Sequence, residues 1–211
     1  AICGPNVSFD TNGPSQETNK RRIEFASDLE VLLFMTKGPG RLDSPTTDDD
    51  QDRLAELLAQ VLDAGEDLSP SFFEVTIAAA FTEFARVPAD ACVVEVGLGG
   101  RFDATNVLAP DVLAACGIAA LGIDHERFLL APEDGVPEDP LSRIAFEKMG
   151  IAKPGVPVSA LAPPSAEAGA TMLRLATDRK LDLRVEGFDW AYRTDGDTMR
   201  VTAAGTELGL P

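Results

Sequence analysis

The sequence predicts an α/β fold: a mostly parallel sheet flanked by helices, with a small C-terminal β-hairpin extension. Three observations carry this reading. Two continuous apolar runs, A-C-V-V-E-V-G at 91–97 and V-L-A-A-C-G-I-A-A-L-G-I-D at 112–124, read as strands buried on both faces, as parallel strands usually are. Helical segments separate these and the later strand-like runs, so strand and helix alternate along the chain. Near the C-terminus the pattern changes to two short alternating runs around an Asp-Gly turn.

Residues 1–50 differ in texture from the rest, with turn-rich C-G-P-N-V-S-F-D-T-N-G-P-S-Q at one end and acidic G-P-G-R-L-D-S-P-T-T-D-D-D at the other. Between them lie a polar segment of helical character, Gln16 to Ser27, and the strand-like L-E-V-L-L-F-M at 29–35. From Gln51, Leu54, Leu57, Leu58, Val61 and Leu62 recur at helical spacing and predict an amphipathic helix ending near Gly65. Ser69 suits the N-cap and Pro70 the first position of a second, largely apolar helix that runs to Arg86. After the two apolar strands, a helix from about Pro140 to Ile151 leads to the strand P-V-S-A-L. Pro164 to Lys180 then forms a further helix before L-D-L-R-V. The tail W-A-Y-R, T-D-G-D-T, M-R-V-T-A makes the hairpin.

The chain of 211 residues suits one main domain, and its composition is that of a globular protein. A net charge of −17 disfavours nucleic acid and anionic membranes as partners, because phosphates would be repelled over most of the surface. Cys3, Cys92 and Cys116 have no metal-type spacing and read as reduced thiols in a cytoplasmic protein. No segment has the apolar length of a membrane span, and no targeting segment is recognisable.

Ligands of open α/β sheets collect at the carboxyl ends of strands. Glu95 stands near the end of one apolar run, and Asp124 and His125 just past the end of the next, so these groups can face one crevice. Lys148 follows on the next helix. Each has a plainer reading: a strand glutamate can pair with a neighbouring arginine such as Arg101, a lone histidine is often a hydrogen-bonded core or surface group, and a helix lysine is often just solvated. A carboxylate with an imidazole nevertheless suits magnesium, which completes its octahedron with water and phosphate oxygens.

Three ordered motifs, E-V-G-L-G-G-R-F-D-A-T-N at 95–106, G-I-D-H at 122–125 and I-A-F-E-K-M-G-I-A-K-P-G at 144–155, resemble the dihydrofolate synthase/folylpolyglutamate synthase branch of the Mur ligase superfamily. S-P-S-F-F-E-V-T-I-A-A-A-F, from Ser69, is similar to that family's pterin-contacting helix start, so the resemblance runs from about residue 51 to the C-terminus. It implies a central ATPase-like domain over 51–186, the start of the hairpin extension at 187–211 and a diverged segment at 1–50, with the glutamate-side domain absent. The implied activity is an ATP- and magnesium-dependent ligase. ATP phosphorylates the carboxylate of dihydropteroate or a folate, and the amine of L-glutamate attacks the acyl phosphate. Glu95 and His125 would be magnesium ligands; Lys148 matches a lysine the family carries N-carboxylated, and with His125 it would be catalytic. An unmodified ammonium beside magnesium would be repelled. Ser71, Phe72, Phe73 and Glu74, with Phe102, Asp103 and Ala104, match the segments that contact pterin or folate, although Phe72 and Phe73 could equally be core and Asp103 a turn cap. The partners implied are small molecules, and the expected state is a monomer.

The sequence departs from the family where the phosphate loop G-T-N-G-K-G-S/T should be. Thr11-Asn12-Gly13-Pro14-Ser15 is the nearest echo, making Asn12, Gly13 and Ser15 the implied ATP contacts. It lacks the lysine, and Pro14 removes an N–H from a loop that should point N–H groups at an anion. T-K-G-P-G at 36–40 supplies Lys37 with the wrong glycine spacing. A non-catalytic remnant that binds at most pterin or folate therefore stands beside the ligase reading. A dinucleotide oxidoreductase does not, since G-L-G-G-R is not G-x-G-x-x-G. If the metal reading holds, Glu95, His125 and Lys148 should meet at one crevice.

Overall fold

A computed structural model describes residues 2–3, 48–86, 91–123, 126–196 and 198–210. The segments at 16–27 and 29–35, the loops at 11–15 and 36–40, and the pair Asp124 and His125 lie outside the described residues. The chain forms two compact units, residues 4–92, and residues 1–3 together with 93–211.

In the first unit, helix α1 (Asp48–Ala64) packs along helix α2 (Phe72–Arg86). Three aspartates in the first turn of α1 oppose the helix dipole favourably. Leu54 and Leu57 form a buried cluster with Ala79 and Ala80, whose small side chains let the two helices approach; Leu58 and Val61 pack at its edge. Burying a leucine of this kind contributes about 1.5–3 kcal/mol. Leu62, expected on the same stripe, is exposed.

The start of α2 differs from the expected one. Ser69 is left-handed (φ 49°) and ends the short 3-10 turn Glu66–Leu68, so it does not cap α2. Ser71 is the cap instead: its N–H and its hydroxyl both donate to Glu74 Oε2 at 2.7 Å, and the Glu74 N–H donates back to Ser71 Oγ at 3.3 Å. This reciprocal capping box needs an acid three residues after the serine, which Ser71 has and Ser69 lacks.

In the second unit the strands are β1 (Ile2–Cys3), β2 (Cys92–Val93), β3 (Leu113–Ile118), β4 (Pro157–Ala160) and β5 (Asp182–Val185), in sheet order β2-β1-β3-β4-β5. β3, β4 and β5 are parallel and in register; β1 is antiparallel to β3. Short helix α3 (Glu126–Leu129) precedes α4 (Pro140–Lys148), and α5 (Ala166–Arg179) joins β4 to β5. Asp139 caps α4 by accepting from the Ser142 N–H (2.8 Å), with Pro140 at the first helical position; Ser165 caps α5 through the Ala168 N–H (3.1 Å). The core gathers Cys116 and Ile118 of β3, Val158 and Ala160 of β4, Ile144 and Met149 at α4, and Met172 and Leu175 of α5.

Two expectations about the strands are corrected. The run 91–97 is paired only at Cys92–Val93, and Glu95, read as strand-buried, is exposed. The strands are also covered on one face rather than two: Val158 and Ala160 are buried while Pro157 and Ser159 are exposed, and Gly117 lies open beside buried Cys116 and Ile118. The open face carries small or polar groups, with Asp182 and Arg184 continuing it on β5, and costs little to leave wet.

The expected hairpin is two strands of a three-stranded antiparallel sheet, β6 (Trp190–Asp195), β7 (Thr198–Ala203) and β8 (Thr206–Leu210). The second turn is Ala204-Gly205, both at positive φ (48° and 79°), a two-residue turn of the primed type. Alanine tolerates that conformation poorly, which is why this turn was weakly signalled. Cys92 and Cys116 are buried free thiols, and burial pushes the Cys116 thiol up from its ordinary value. Among the described residues no helix is long and apolar enough to cross a membrane.

Candidate functional site

The second unit centres its polar chemistry on the loop V-G-L-G-G-R-F-D-A-T-N, residues 96–106. Gly99 (φ 67°) and Gly100 (φ 156°) let this loop lie flat on the end of α4. A Cβ on Gly100 would stand 2.8 Å from the Glu147 carbonyl oxygen and 3.2 Å from Lys148 Cα; one on Gly99 would meet Leu129 Cδ2 at 2.8 Å. From the other side, a Cβ on Gly150 would stand 2.4 Å from Arg101 Cα. The glycines of G-L-G-G-R and K-M-G-I are thus two halves of one backbone contact, sealed by the Arg101 N–H donating to the Glu147 carbonyl at 2.9 Å.

Asp103 is the organiser of the loop. Only 8% exposed, it accepts from the Leu98 N–H (2.9 Å), the Thr105 N–H (2.9 Å) and the Thr105 hydroxyl (2.6 Å), and it caps the 3-10 turn Ala104–Val107. Asn106 ties the loop down again, its Nδ2 donating to the Arg101 carbonyl (2.9 Å) and its Oδ1 accepting from Lys153 Nζ (2.8 Å). Arg101 does not pair with Glu95. It forks onto Glu147 (2.9 and 3.1 Å) and Glu133 (2.6 and 2.9 Å), and Arg143 reaches the same two glutamates at 3.0 and 2.8 Å. The Arg101 hydrogen bonds hold the Glu133 carboxyl below the ordinary range, and the carboxylates of Glu147 and Glu133 raise Arg101 further above its own. Phe102 lies over this network, 81% exposed, with the Arg101 guanidinium 4.1 Å from its ring centroid.

Of the residues singled out from the sequence, Glu95 is exposed just past β2, and Lys148 is half-buried at the end of α4. Among the described residues neither side chain has an ion pair or a hydrogen bond. Their elements meet through Gly100, while His125 lies outside the described residues. Phe102 is open, Ala104 is half-buried, and Asp103 is consumed by the loop. In the first unit Phe72 is exposed, Phe73 is half-buried, and Ser71 and Glu74 form the helix cap, whose hydrogen bonds from Ser71 hold Glu74 below the ordinary carboxylate range. Asn12, Gly13 and Ser15 are outside the described residues.

Sequence reasoning missed the network of Arg101, Glu133, Arg143 and Glu147. Its one local signal was the i,i+4 spacing of Arg143 and Glu147 on α4; Glu133 comes from a loop and carries none.

Among the described residues no group of three or more His, Cys, Asp or Glu side chains could hold a metal. A free, solvent-facing carboxylate such as Glu95 nevertheless fits magnesium, which needs only one or two protein groups. Lys148 fits such a neighbourhood as a carbamate and not as an ammonium.

No protein-family model matches the chain. It is 40% identical over 116 residues to a folylpolyglutamate synthase of Arabidopsis thaliana, covering 55% of this chain and 18% of that protein. It is 32% identical over 154 residues to the dihydrofolate synthase/folylpolyglutamate synthase of Escherichia coli, covering 72% of this chain and 33% of that one. The solved structure of E. coli FolC in complex with DHPP and ADP superposes with a TM-score of 0.60 at 25% identity, over 75% of this chain and 35% of that one. The chain therefore spans a third or less of the length of those two relatives.

Proposed function

The chain belongs to the dihydrofolate synthase/folylpolyglutamate synthase family, of whose members it spans a part, and on that premise we propose that it carries the metal-facing portion of an ATP- and magnesium-dependent ligase. The reaction joins L-glutamate to dihydropteroate or a folate. The substrate carboxylate takes the terminal phosphoryl group of ATP with release of ADP, and the glutamate amine then displaces phosphate to leave an amide.

The observation that supports this most is the docked glycine loop. It sets the backbone of Gly100 against Lys148 while leaving the Glu95 carboxylate exposed and, among the described residues, without a protein partner. A side chain left so while Arg101, Asp103 and Asn106 beside it are fully engaged is available to a ligand. Glu95 and His125 would hold magnesium, and Lys148 as a carbamate would add negative charge beside it. The bound ion would neutralise phosphate oxygens during transfer. Phe102 offers an open aromatic face for a pterin or its benzoyl ring, held flat by the Arg101 guanidinium. In the first unit, taken by itself, Phe72 at the start of α2 is an exposed ring.

One sequence observation favours a second reading, a non-catalytic pterin-binding relative: the 11–15 loop has no lysine and contains Pro14. Calorimetric titration with magnesium-ATP and then with dihydropteroate, on the chain and on Glu95→Gln, separates the two. Nucleotide binding that is lost in Glu95→Gln supports the ligase. Pterin binding alone supports the second reading, and no binding of either ligand removes both.

A further inference from the structure

Arg101 reaches four carboxylate oxygens with one guanidinium. Nη1 and Nη2 contact Glu133 at 2.9 and 2.6 Å, and Nε and Nη2 contact Glu147 at 3.1 and 2.9 Å. Its own N–H donates to the Glu147 carbonyl, and its carbonyl accepts from Asn106. Arg143 closes the far side on the same two acids, so two arginines balance two glutamates and no net charge is buried. Arg143 and Glu147 are buried, and Glu133 is the partly exposed member.

The places of these partners matter more than their number. Arg101 stands in the middle of the loop that begins after Glu95; Glu133 lies eight residues beyond His125 in the sequence, past α3; Glu147 immediately precedes Lys148. The loop after Glu95, the segment after α3 and the helix bearing Lys148 thus each send one group into the same network. Packing repeats the linkage, since the glycine before Arg101 lies against Glu147 and Lys148, and Gly99 lies against Leu129 of α3.

We propose that Arg101 is a positioning residue that holds the loop after Glu95, the segment after α3 and the helix bearing Lys148 in one register, a role that rests on the metal-site reading above. A lysine could not do this. A guanidinium fork engages two carboxylates through two edges, whereas an ammonium is a point charge on a flexible stem. Residues that orient metal ligands without touching the ion commonly change metal affinity by about 10–100-fold when replaced.

The test uses the full chain as wild type, Arg101→Lys, Arg101→Met and Glu133→Gln, with two readouts. Hydrogen exchange by mass spectrometry should show faster exchange together in 96–107, 130–139 and 140–151 for both Arg101 variants, with α5 and β6–β8 unchanged. In Glu133→Gln the increase should be confined to 130–139. Manganese(II) titration followed by electron paramagnetic resonance should show affinity reduced about 10–100-fold in both Arg101 variants, with no rescue by lysine. Faster exchange limited to 96–107, or full rescue by lysine, overturns the proposal. If an Arg101 variant exchanges faster everywhere it has unfolded, and Glu133→Gln then decides: unchanged exchange at 130–139 overturns the proposal, and a confined increase supports it. A wild-type chain that binds no manganese refutes the metal-site reading instead, and the exchange pattern alone still decides whether Arg101 couples the three segments.

Discussion

Replacing Gly150 with alanine tests the backbone contact on which the site is built. Its Cβ would lie 2.4 Å from Arg101 Cα, 2.5 Å from Cβ and 2.7 Å from N, all within van der Waals overlap and mostly against backbone that cannot swing away. Gly150 has no positive φ, so alanine is conformationally acceptable there and would gain up to about 1 kcal/mol from a stiffer unfolded chain. Overpacking costs about 1–3 kcal/mol. Separating the loop from α4 also breaks the 2.9 Å bond from the Arg101 N–H to Glu147, about 0.5–1.5 kcal/mol more. The losses outweigh the gain, and the net destabilisation is about 0.5–4.5 kcal/mol once the gain is subtracted. For a chain of 211 residues this lowers Tm by about 1–18 °C, read by circular dichroism melting. Gly117→Ala is the control, because a Cβ there meets nothing within 4 Å and its φ is not positive, and it should stabilise the chain by about 0.4–1 kcal/mol. A Gly150→Ala protein as stable as Gly117→Ala would refute the close packing of loop on helix.

Asp103→Asn puts an NH2 group where two N–H groups and a hydroxyl now donate, and should cost about 1–3 kcal/mol in urea unfolding whether or not a pterin is present. A loss seen only as weaker pterin binding would instead make Asp103 a substrate contact. In the first unit Glu83, fully buried, accepts from Arg53 at 3.1 and 3.3 Å and from both ends of the Arg86 fork. Burial pushes this carboxyl up, and the Arg86 and Arg53 hydrogen bonds outweigh that and hold it below its ordinary value. Glu83→Gln should cost about 1–3 kcal/mol, while Glu56→Gln, at an exposed pair with Arg53, should cost under about 0.5 kcal/mol; equal costs would refute the distinction. Glu74, Glu133 and Asp139 are all held below their ordinary values by hydrogen bonds. The folded state therefore binds fewer protons than the unfolded one near those pKa values. Their contribution is complete above the ordinary carboxylate range near pH 4.5 and is lost as pH falls through the depressed values. The urea midpoint should fall with acidification below that range, and Arg101→Met should flatten the fall; an unaltered profile would refute the Arg101–Glu133 linkage.

Local signals placed most elements well. The leucine spacing from Leu54 found α1, the helices expected from about Pro140 and from Pro164 match α4 and α5 to within two residues at their starts, and Asp-Gly marked the first turn of the C-terminal sheet. What failed required knowledge of neighbours. Ser69 and Ser71 are equivalent as isolated N-caps, and only the reach back from Glu74 separates them. The apolar run at 91–97 looks like a buried strand, yet it leaves the sheet after Val93 because the loop that follows must descend onto α4. Long-range ion pairs are the least visible: Arg101 and Glu147 lie 46 residues apart, and no periodicity joins them.

The motif residues divide into two sets by what the fold already asks of them. Arg101, Asp103, Thr105, Asn106 and Glu147 have their side chains hydrogen-bonded within the chain, and Gly100 and Gly150 stand in close backbone contact. Folding already gives each of them a task before any ligand is considered. Glu95, Phe102 and Lys148 sit among them with side chains that the described fold leaves without a hydrogen-bonded partner. Exposing a phenyl ring and leaving a carboxylate unpaired adds nothing to stability. Substituting this second set should thus leave the melting temperature nearly unchanged and alter binding, whereas substituting the first set should move both. The loop is best understood as a rigid frame, and ligand specificity is to be sought in the few side chains the frame holds out.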